Sequence, residues 1–207
     1  MPSLELPDNL ADLFAEDLLE ELSDALGPDE DERADGRFEI EVEIEGQGTF
    51  CLRYRDGDLG GKKGFARGDP LISARIPKDA DTFLLGLLQA ALDEYPDAPA
   101  LKSRQEDARK LKKKQLQAMV DGVGKLKEMG MELDVKGVGK FLFARGILDE
   151  VTRKVTASVD AKDVEATIAG AAPEQMAGKV KFGGNRGLLT EVVTALGPLW
   201  SLIDPNK

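Results

Sequence analysis

The sequence predicts an α+β fold in which a mixed or antiparallel sheet is covered by helices. Apolar and polar residues alternate twice over 37–54, which is typical of two neighbouring strands. A second series of strand-like segments follows Gly130. A short alternating segment from Gly178 then leads through paired glycines into an apolar stretch of helical spacing, which predicts an edge strand, a tight turn and a helix.

Charge and glycine or proline content divide the chain into four segments. We expect an acidic amphipathic helix and linker over 1–36, a first α+β segment over 37–95, a basic connecting helix over 96–130, and a second α+β segment with a final strand and helix over 131–207. The first 35 residues carry thirteen acidic side chains and one basic, whereas the charges of the remaining residues nearly balance. The net charge of −11 therefore belongs to the N-terminal segment.

The N-terminal segment predicts an amphipathic helix over 8–26, which Asp8 or Asn9 would cap. Such a helix is marginal in water when isolated, so its leucine-rich face is expected to pack on the protein body or on a partner. The expected contact residues on that face are Leu10, Phe14, Leu18 and Leu22.

The first α+β segment is predicted to contain a hairpin over 37–54, a flexible glycine-rich loop from Asp56 to Gly68, and a third strand over 71–76. A helix should follow, with Asp79 or Asp81 at its N-terminal cap.

The second half begins with a helix predicted over 101–129, which has nine basic and four acidic residues. Its basic side chains indicate a solvated face, a contact with an acidic partner or with residues 8–35 of this chain, or a contact with anionic lipid. Strands are predicted over 131–135, 140–144 and 154–159, and the last helix over 187–203, where Pro198 should kink or end it.

The composition excludes several kinds of catalytic site. The chain has no histidine, which rules out Ser-His-Asp and Cys-His nucleophiles and imidazole metal sites. Cys51 is the only cysteine, and its strand-like surroundings predict a buried, inert thiol. The acidic pairs Asp79/Asp81 and Asp160/Asp163 lie where helix caps are expected. We therefore expect no enzymatic activity and no cofactor.

Other features limit the partners and the location. The glycine-rich stretch around Gly60 lacks the spacing of a phosphate-binding loop. The acidic N-terminal segment argues against nucleic acid as a partner, because phosphate binding needs clustered positive charge. The N-terminus lacks the features of a signal peptide, and no stretch approaches the ~20 apolar residues of a membrane span. We expect a cytoplasmic protein without a transmembrane segment.

The C-terminal sequence resembles a known family. Pro173 to Lys181, followed by Gly184-Asn185-Arg186-Gly187-Leu188, is similar to the final strand and helix of the sterol carrier protein type-two domain, a lipid-binding α+β family. The resemblance is strongest over 155–196, and a weaker one covers Phe38–Leu92 without a second Gly-Lys-x-Lys strand. The two halves share their order of elements either by chance or through a tandem duplication, in which the copies share one closing element or the first copy is degenerate.

The resemblance implies an apolar tunnel between sheet and helices that takes a sterol, a fatty acid or an acyl chain. The residues that it implies for ligand contact are Ile168, Met176, Phe182, Leu188, Leu189, Val192 and Leu196. The leading hypothesis is a noncatalytic lipid-binding or lipid-transfer module, whose partner is a lipid or another apolar small molecule. The alternative is a structural or adaptor protein of the same fold, which contacts a protein partner or a second copy of itself through the acidic N-terminal helix.

Overall fold

The computed structural model describes residues 6–15, 36–56, 58–94, 113–126, 128–168, 178–184 and 186–195. Within these residues, eight strands form one mixed sheet: β1 (Arg37–Ile44), β2 (Gly48–Arg55), β3 (Asp58–Lys63), β4 (Ile72–Ile76), β5 (Met129–Lys136), β6 (Gly139–Ala144), β7 (Arg153–Asp160) and β8 (Lys181–Gly184). The described helices are α1 (Leu10–Ala15), α2 (Asp81–Glu94), α3 (Lys113–Gly124), α4 (Ala161–Ile168) and α5 (Arg186–Ala195). The predicted α+β class and mixed sheet are confirmed.

The strand order repeats within the sheet, which runs β3-β2-β1-β4-β6-β5-β7-β8. Strand β1 is antiparallel to β2 and parallel to β4, and β5 has the same relation to β6 and β7. Helices α2 and α4 follow the corresponding strands β4 and β7. The two halves join where β4 pairs antiparallel with β6. Strand β6 therefore occupies, beside β4, the position that β8 occupies beside β7.

The two faces of the sheet differ in character because side chains alternate along each strand. Apolar residues such as Val42, Ala74, Phe143 and Val155 share one face, and the helices pack on it. We call it the helix-covered face. The other, open face carries charged side chains, among them Glu43, which accepts a hydrogen bond from a neighbouring arginine of β4. One wet face and one packed face explain the alternation that predicted these strands.

Helix α1 packs against the chain's own sheet. Asn9 accepts a hydrogen bond from the Asp12 backbone N–H at 2.9 Å, as an N-cap does, so the predicted start of the helix is confirmed. Leu10 and Leu13 are buried, and the Phe14 ring lies 6.2 Å from a phenylalanine ring of β2. The remainder of the predicted helix, 16–26, lies outside the described residues.

The structure corrects two predicted elements. The flexible loop expected from Asp56 to Gly68 contains strand β3, since the ladder to β2 needs only backbone groups and an edge strand tolerates glycine. The helix predicted over 101–129 is helical only from Lys113 to Gly124 among its described residues, and its last predicted residue is the first of β5. Glycine near the end of α3 disfavours continuation. Residues 101–112 lie outside the described part of the chain.

The C-terminal elements follow the predicted order. Strand β8 is an edge strand of four exposed residues, and α5 begins two residues after it. Gly184 has a φ of +92°, and a Cβ there would lie 3.2 Å from the Lys154 carbonyl oxygen, so the turn needs glycine. The part of the predicted last helix beyond Ala195, with Pro198, lies outside the described residues.

Candidate functional site

An apolar cavity of about 190 Å³ lies between the helix-covered face, α3 and α5. Ile72 of β4 and Phe143 of β6 form its floor on the two sides of the junction between the halves. The rest of the lining comes from α3, α5, β5, the end of β6 and the residues that follow α3 and β6: Val123, Leu126, Met129, Gly130, Met131, Ala144, Arg145 and Val192.

Helix α3 is held over β5 by a tight connection. The Leu126 and Met129 backbone N–H groups donate to the carbonyls three residues earlier. These two bonds form consecutive turns that connect the end of α3 to the start of β5. Glu128 adopts a positive φ of 56°, and its carbonyl accepts hydrogen bonds from the Thr152 and Arg153 backbone N–H groups. These bonds tie the connection to the start of β7, so Val123 and Leu126 stay over the cavity.

Helix α5 forms the opposite wall. Leu188 is buried with Met129 and Val155 in a small core cluster. At the surface, Arg153 of β7 donates two hydrogen bonds to the Glu191 carboxylate, at 2.9 and 3.1 Å. This combination fixes the helix on β7 and orients the next turn towards the cavity.

Arg145 is the one charged residue among the described residues that line the cavity. Its Nη1 donates to the Pro70 carbonyl oxygen at 2.7 Å, and its Nη2 lies 3.0 Å from Asp69. The guanidinium is thereby engaged with the loop that precedes β4. The cavity suits an apolar group, because the described lining offers it no free charge.

Only some of the ligand residues implied by the resemblance lie at or near the cavity. Val192 lines the cavity, and Leu188 and Leu189 belong to the adjacent cluster. Phe182 is 53 % exposed on edge strand β8 and does not line the cavity. The Ile168 side chain, and residues Met176 and Leu196, lie outside the described part of the structure.

Most residues of the cavity lining could not be recognised as such from the sequence, including Ile72, Val123, Met131 and Phe143. Each is an apolar residue at ordinary strand or helix spacing, the pattern that also builds a filled core. No signal in their spacing distinguishes a cavity wall from a packed interior.

The structure describes two of the four expected contact residues of the N-terminal helix. Leu10 is 3 % exposed and Phe14 packs on the core, so both lie against the chain's own sheet. Leu18 and Leu22 lie outside the described residues.

Two of the acidic residues considered for chemistry have structural partners, and the cysteine is buried. Asp81 accepts a hydrogen bond from Gln47, and Asp163 lies 2.7 Å from the Lys179 ammonium. Cys51 is fully buried, and burial, with a smaller effect of Glu39, raises the pKa of its thiol. Within the described ranges, no group of three or more cysteine, aspartate or glutamate side chains could hold a metal ion. These placements offer no activated nucleophile.

A second, more polar groove of about 640 Å³ runs between α2 and α4, the two helices in corresponding positions. Phe83 and Leu87 of α2 line it together with Val138 of the β5–β6 turn, and Asp79 and Glu165 stand at its margins. Its mixed lining makes it a weaker candidate for an apolar ligand than the cavity.

The comparisons with known proteins are negative: no family model, no curated protein and no solved structure matches this chain. Across the described residues, none of the helices has the length and apolar character needed to cross a membrane.

Proposed function

We propose that the protein is a noncatalytic lipid-binding or lipid-transfer module that takes an apolar group into the cavity beneath α3 and α5. The observation that carries this proposal is the apolar lining between a mixed sheet and two helices. Val192 supports it further, since the resemblance to sterol carrier domains implied this residue as a ligand contact and it lines the cavity.

The size of the cavity restricts the ligand. An apolar cavity of ~150 Å³ is enough for a benzene ring, whereas drug-sized ligands occupy ~300–1,000 Å³. The described walls border about 190 Å³ of space that is partly open to the surface, which suits a ring or a short alkyl segment. This favours one end of a fatty acid or acyl chain over a whole sterol, with the remainder of the ligand outside these walls.

The adaptor alternative has less support from the described residues. Leu10 and Phe14, two of its four expected contacts, pack on the chain's own core. Leu10 is buried and Phe14 is partly buried, so these two residues have little apolar surface left for a partner.

A fluorescent fatty acid titrated into the full chain tests the proposal. Val192→Phe places a larger side chain at the cavity wall and should weaken binding at least about tenfold, which corresponds to ~1.4 kcal/mol. Ile147→Phe is the matched control, because it makes a similar change at an exposed aliphatic residue that does not line the cavity. It should leave the affinity within about twofold of the wild type.

Thermal unfolding of both variants separates blocked binding from loss of structure. If Val192→Phe unfolds, Val123→Leu adds one methylene group at the opposite wall and serves instead. Equal affinities in the wild type and a folded cavity variant, or no binding by the wild type at saturating probe, would disprove the proposal.

A further inference from the structure

Four arginines surround a cleft at one end of β1 and β2, with a volume of about 360 Å³. Arg37, Arg53 and Arg55 project from the two strands, and Arg67 comes from the loop that follows β3. Phe38, Glu39 and Tyr54 complete the lining of this arginine cleft.

The sheet register and one loop bond position these side chains. Arg37 pairs across the ladder with Arg55, and Glu39 pairs with Arg53. These four strand residues therefore project on the open face. The Arg67 backbone N–H donates to a Glu39 carboxylate oxygen at 2.7 Å, which brings the loop over the strands. The cleft is thus separated by the sheet from the apolar cavity, and the inference goes beyond the proposed function.

The positive charges of the arginine cleft exceed its negative charges. Asp56 lies 3.2 Å from the Arg37 guanidinium, and Glu39 lies 3.1 Å from that of Arg53. In the described part of the chain, the guanidiniums of Arg55 and Arg67 have neither a hydrogen bond nor an ion pair. Among the described residues, these two positive charges therefore have no direct ion pair, and Arg55 acts on the nearby Asp56 carboxylate only through a longer-range attraction that helps to lower its pKa.

One donor of the cleft is also unused. The Nη2 atom of Arg53 is buried and has no hydrogen-bond partner among the described residues. A buried donor without an acceptor is unfavourable, and a side-chain movement that exposes Nη2 to a bound anion would remove that cost.

We propose that the arginine cleft binds the phosphate group of an organic ligand. The guanidinium fork matches phosphate oxygens in a bidentate geometry, and a phosphate dianion would balance the charges of Arg55 and Arg67. The volume of the cleft exceeds what a phosphate alone needs, so the same ligand has room for an organic part.

Two sources could provide the phosphate: a soluble phosphorylated compound or a lipid headgroup. Calorimetric titration of the full chain with inorganic pyrophosphate, at constant ionic strength, tests the first. Flotation with phosphatidylcholine vesicles, with and without phosphatidic acid, tests the second. Binding to either anion supports the proposal and identifies the source.

The variant Arg55→Gln/Arg67→Gln removes the two unpaired charges. Both residues are exposed, so the fold should persist, and the urea midpoint checks this. Binding should weaken at least about tenfold, because charge-assisted hydrogen bonds are lost. Lys78→Gln/Lys162→Gln removes the same charge from two exposed positions outside the cleft and should change the affinity less than about twofold. Arg55→Lys/Arg67→Lys should restore only part of the affinity, since lysine cannot bind in a fork.

Three results would overturn the proposal. The first is no binding of pyrophosphate or of phosphatidic acid vesicles. The second is an equal loss in the Lys78/Lys162 control, which would indicate unspecific charge attraction. The third concerns the chain's own segment 29–35, which carries five acidic residues and precedes Gly36, whose N–H donates to Asp56. Binding that appears only after Asp29, Glu30, Asp31 and Glu32 are replaced by their amides would make this segment the occupant.

Discussion

Arg145 connects the two halves of the sheet at the wall of the apolar cavity. It follows β6, and its guanidinium reaches the loop before β4, where it contacts the Pro70 carbonyl and the Asp69 carboxylate. We expect Arg145→Met to destabilise the protein and Asp69→Asn to have a small effect. Methionine keeps much of the apolar volume and removes only the charged donor group.

The structure gives the relative magnitudes. The Arg145 side chain is 17 % exposed, whereas that of Asp69 is 67 % exposed, so solvent screens their ion pair to about 0–1 kcal/mol. The hydrogen bond from the charged Arg145 guanidinium to the carbonyl of buried Pro70 is worth about 1.5–3 kcal/mol. Its loss leaves that buried acceptor without the arginine as a partner. The buried Nε atom of Arg145 has no partner among the described residues, and removing it returns part of that energy. We expect a net loss of about 1–2 kcal/mol for Arg145→Met.

Urea unfolding of both variants, at low salt and in 1 M NaCl, measures these contributions. High salt should leave the effect of Arg145→Met nearly unchanged, because the carbonyl bond is not an exposed ion pair. If Asp69→Asn costs as much as Arg145→Met, or if salt abolishes the difference, the ion pair dominates and the reasoning is wrong.

Three further predictions concern other positions. The Arg67 backbone N–H, followed by the Arg53 side chain, lowers the pKa of Glu39. The stability that this carboxylate contributes is therefore present above its unfolded pKa and is lost as the pH falls through the lower folded pKa. Glu39→Gln should reduce the pH dependence of the urea midpoint over that acidic range. Gly139→Ala should lower the free energy of unfolding, measured in urea, by about 1–3 kcal/mol, and Gly137→Ala should lower it less. Both glycines have a positive φ, but only a Cβ at position 139 would meet a proline ring, at 2.9 Å. Cys51, with its raised pKa, should react with a thiol reagent in urea at least about tenfold faster than in buffer, and equal rates would contradict its burial.

Much of the sheet could be predicted because alternation determines which side of a strand is packed. The hairpin over 37–54 has the predicted strands and turn, with Val42 buried and Glu43 on the open face. Strand β3 could not be predicted, because its glycines have no side chains that alternate, and it forms through backbone pairing to β2. The end of α3 was missed for a related reason: an apolar residue such as Met129 suits a helix stripe and a strand equally well.

The missing closing strand of the first half has a structural explanation in the pairing of β4 with β6. A strand of the second half fills that position, so no separate Gly-Lys-x-Lys strand is needed beside β4. Halves joined in this way depend on each other, since either one alone would expose an unpaired edge at the junction.

The same joining explains why the resemblance could not predict the part of the cavity floor that Ile72 forms. The ligand residues implied by the resemblance all came from 168–196, within the second half, and among them Val192 lines the cavity. The floor combines Ile72 of the first half with Phe143 of the second, on strands that become neighbours only when β4 pairs with β6. A pattern confined to one half contains no information about a wall that the other half provides. An isolated second half would therefore lack part of the cavity floor, even if its own strands and helices formed correctly.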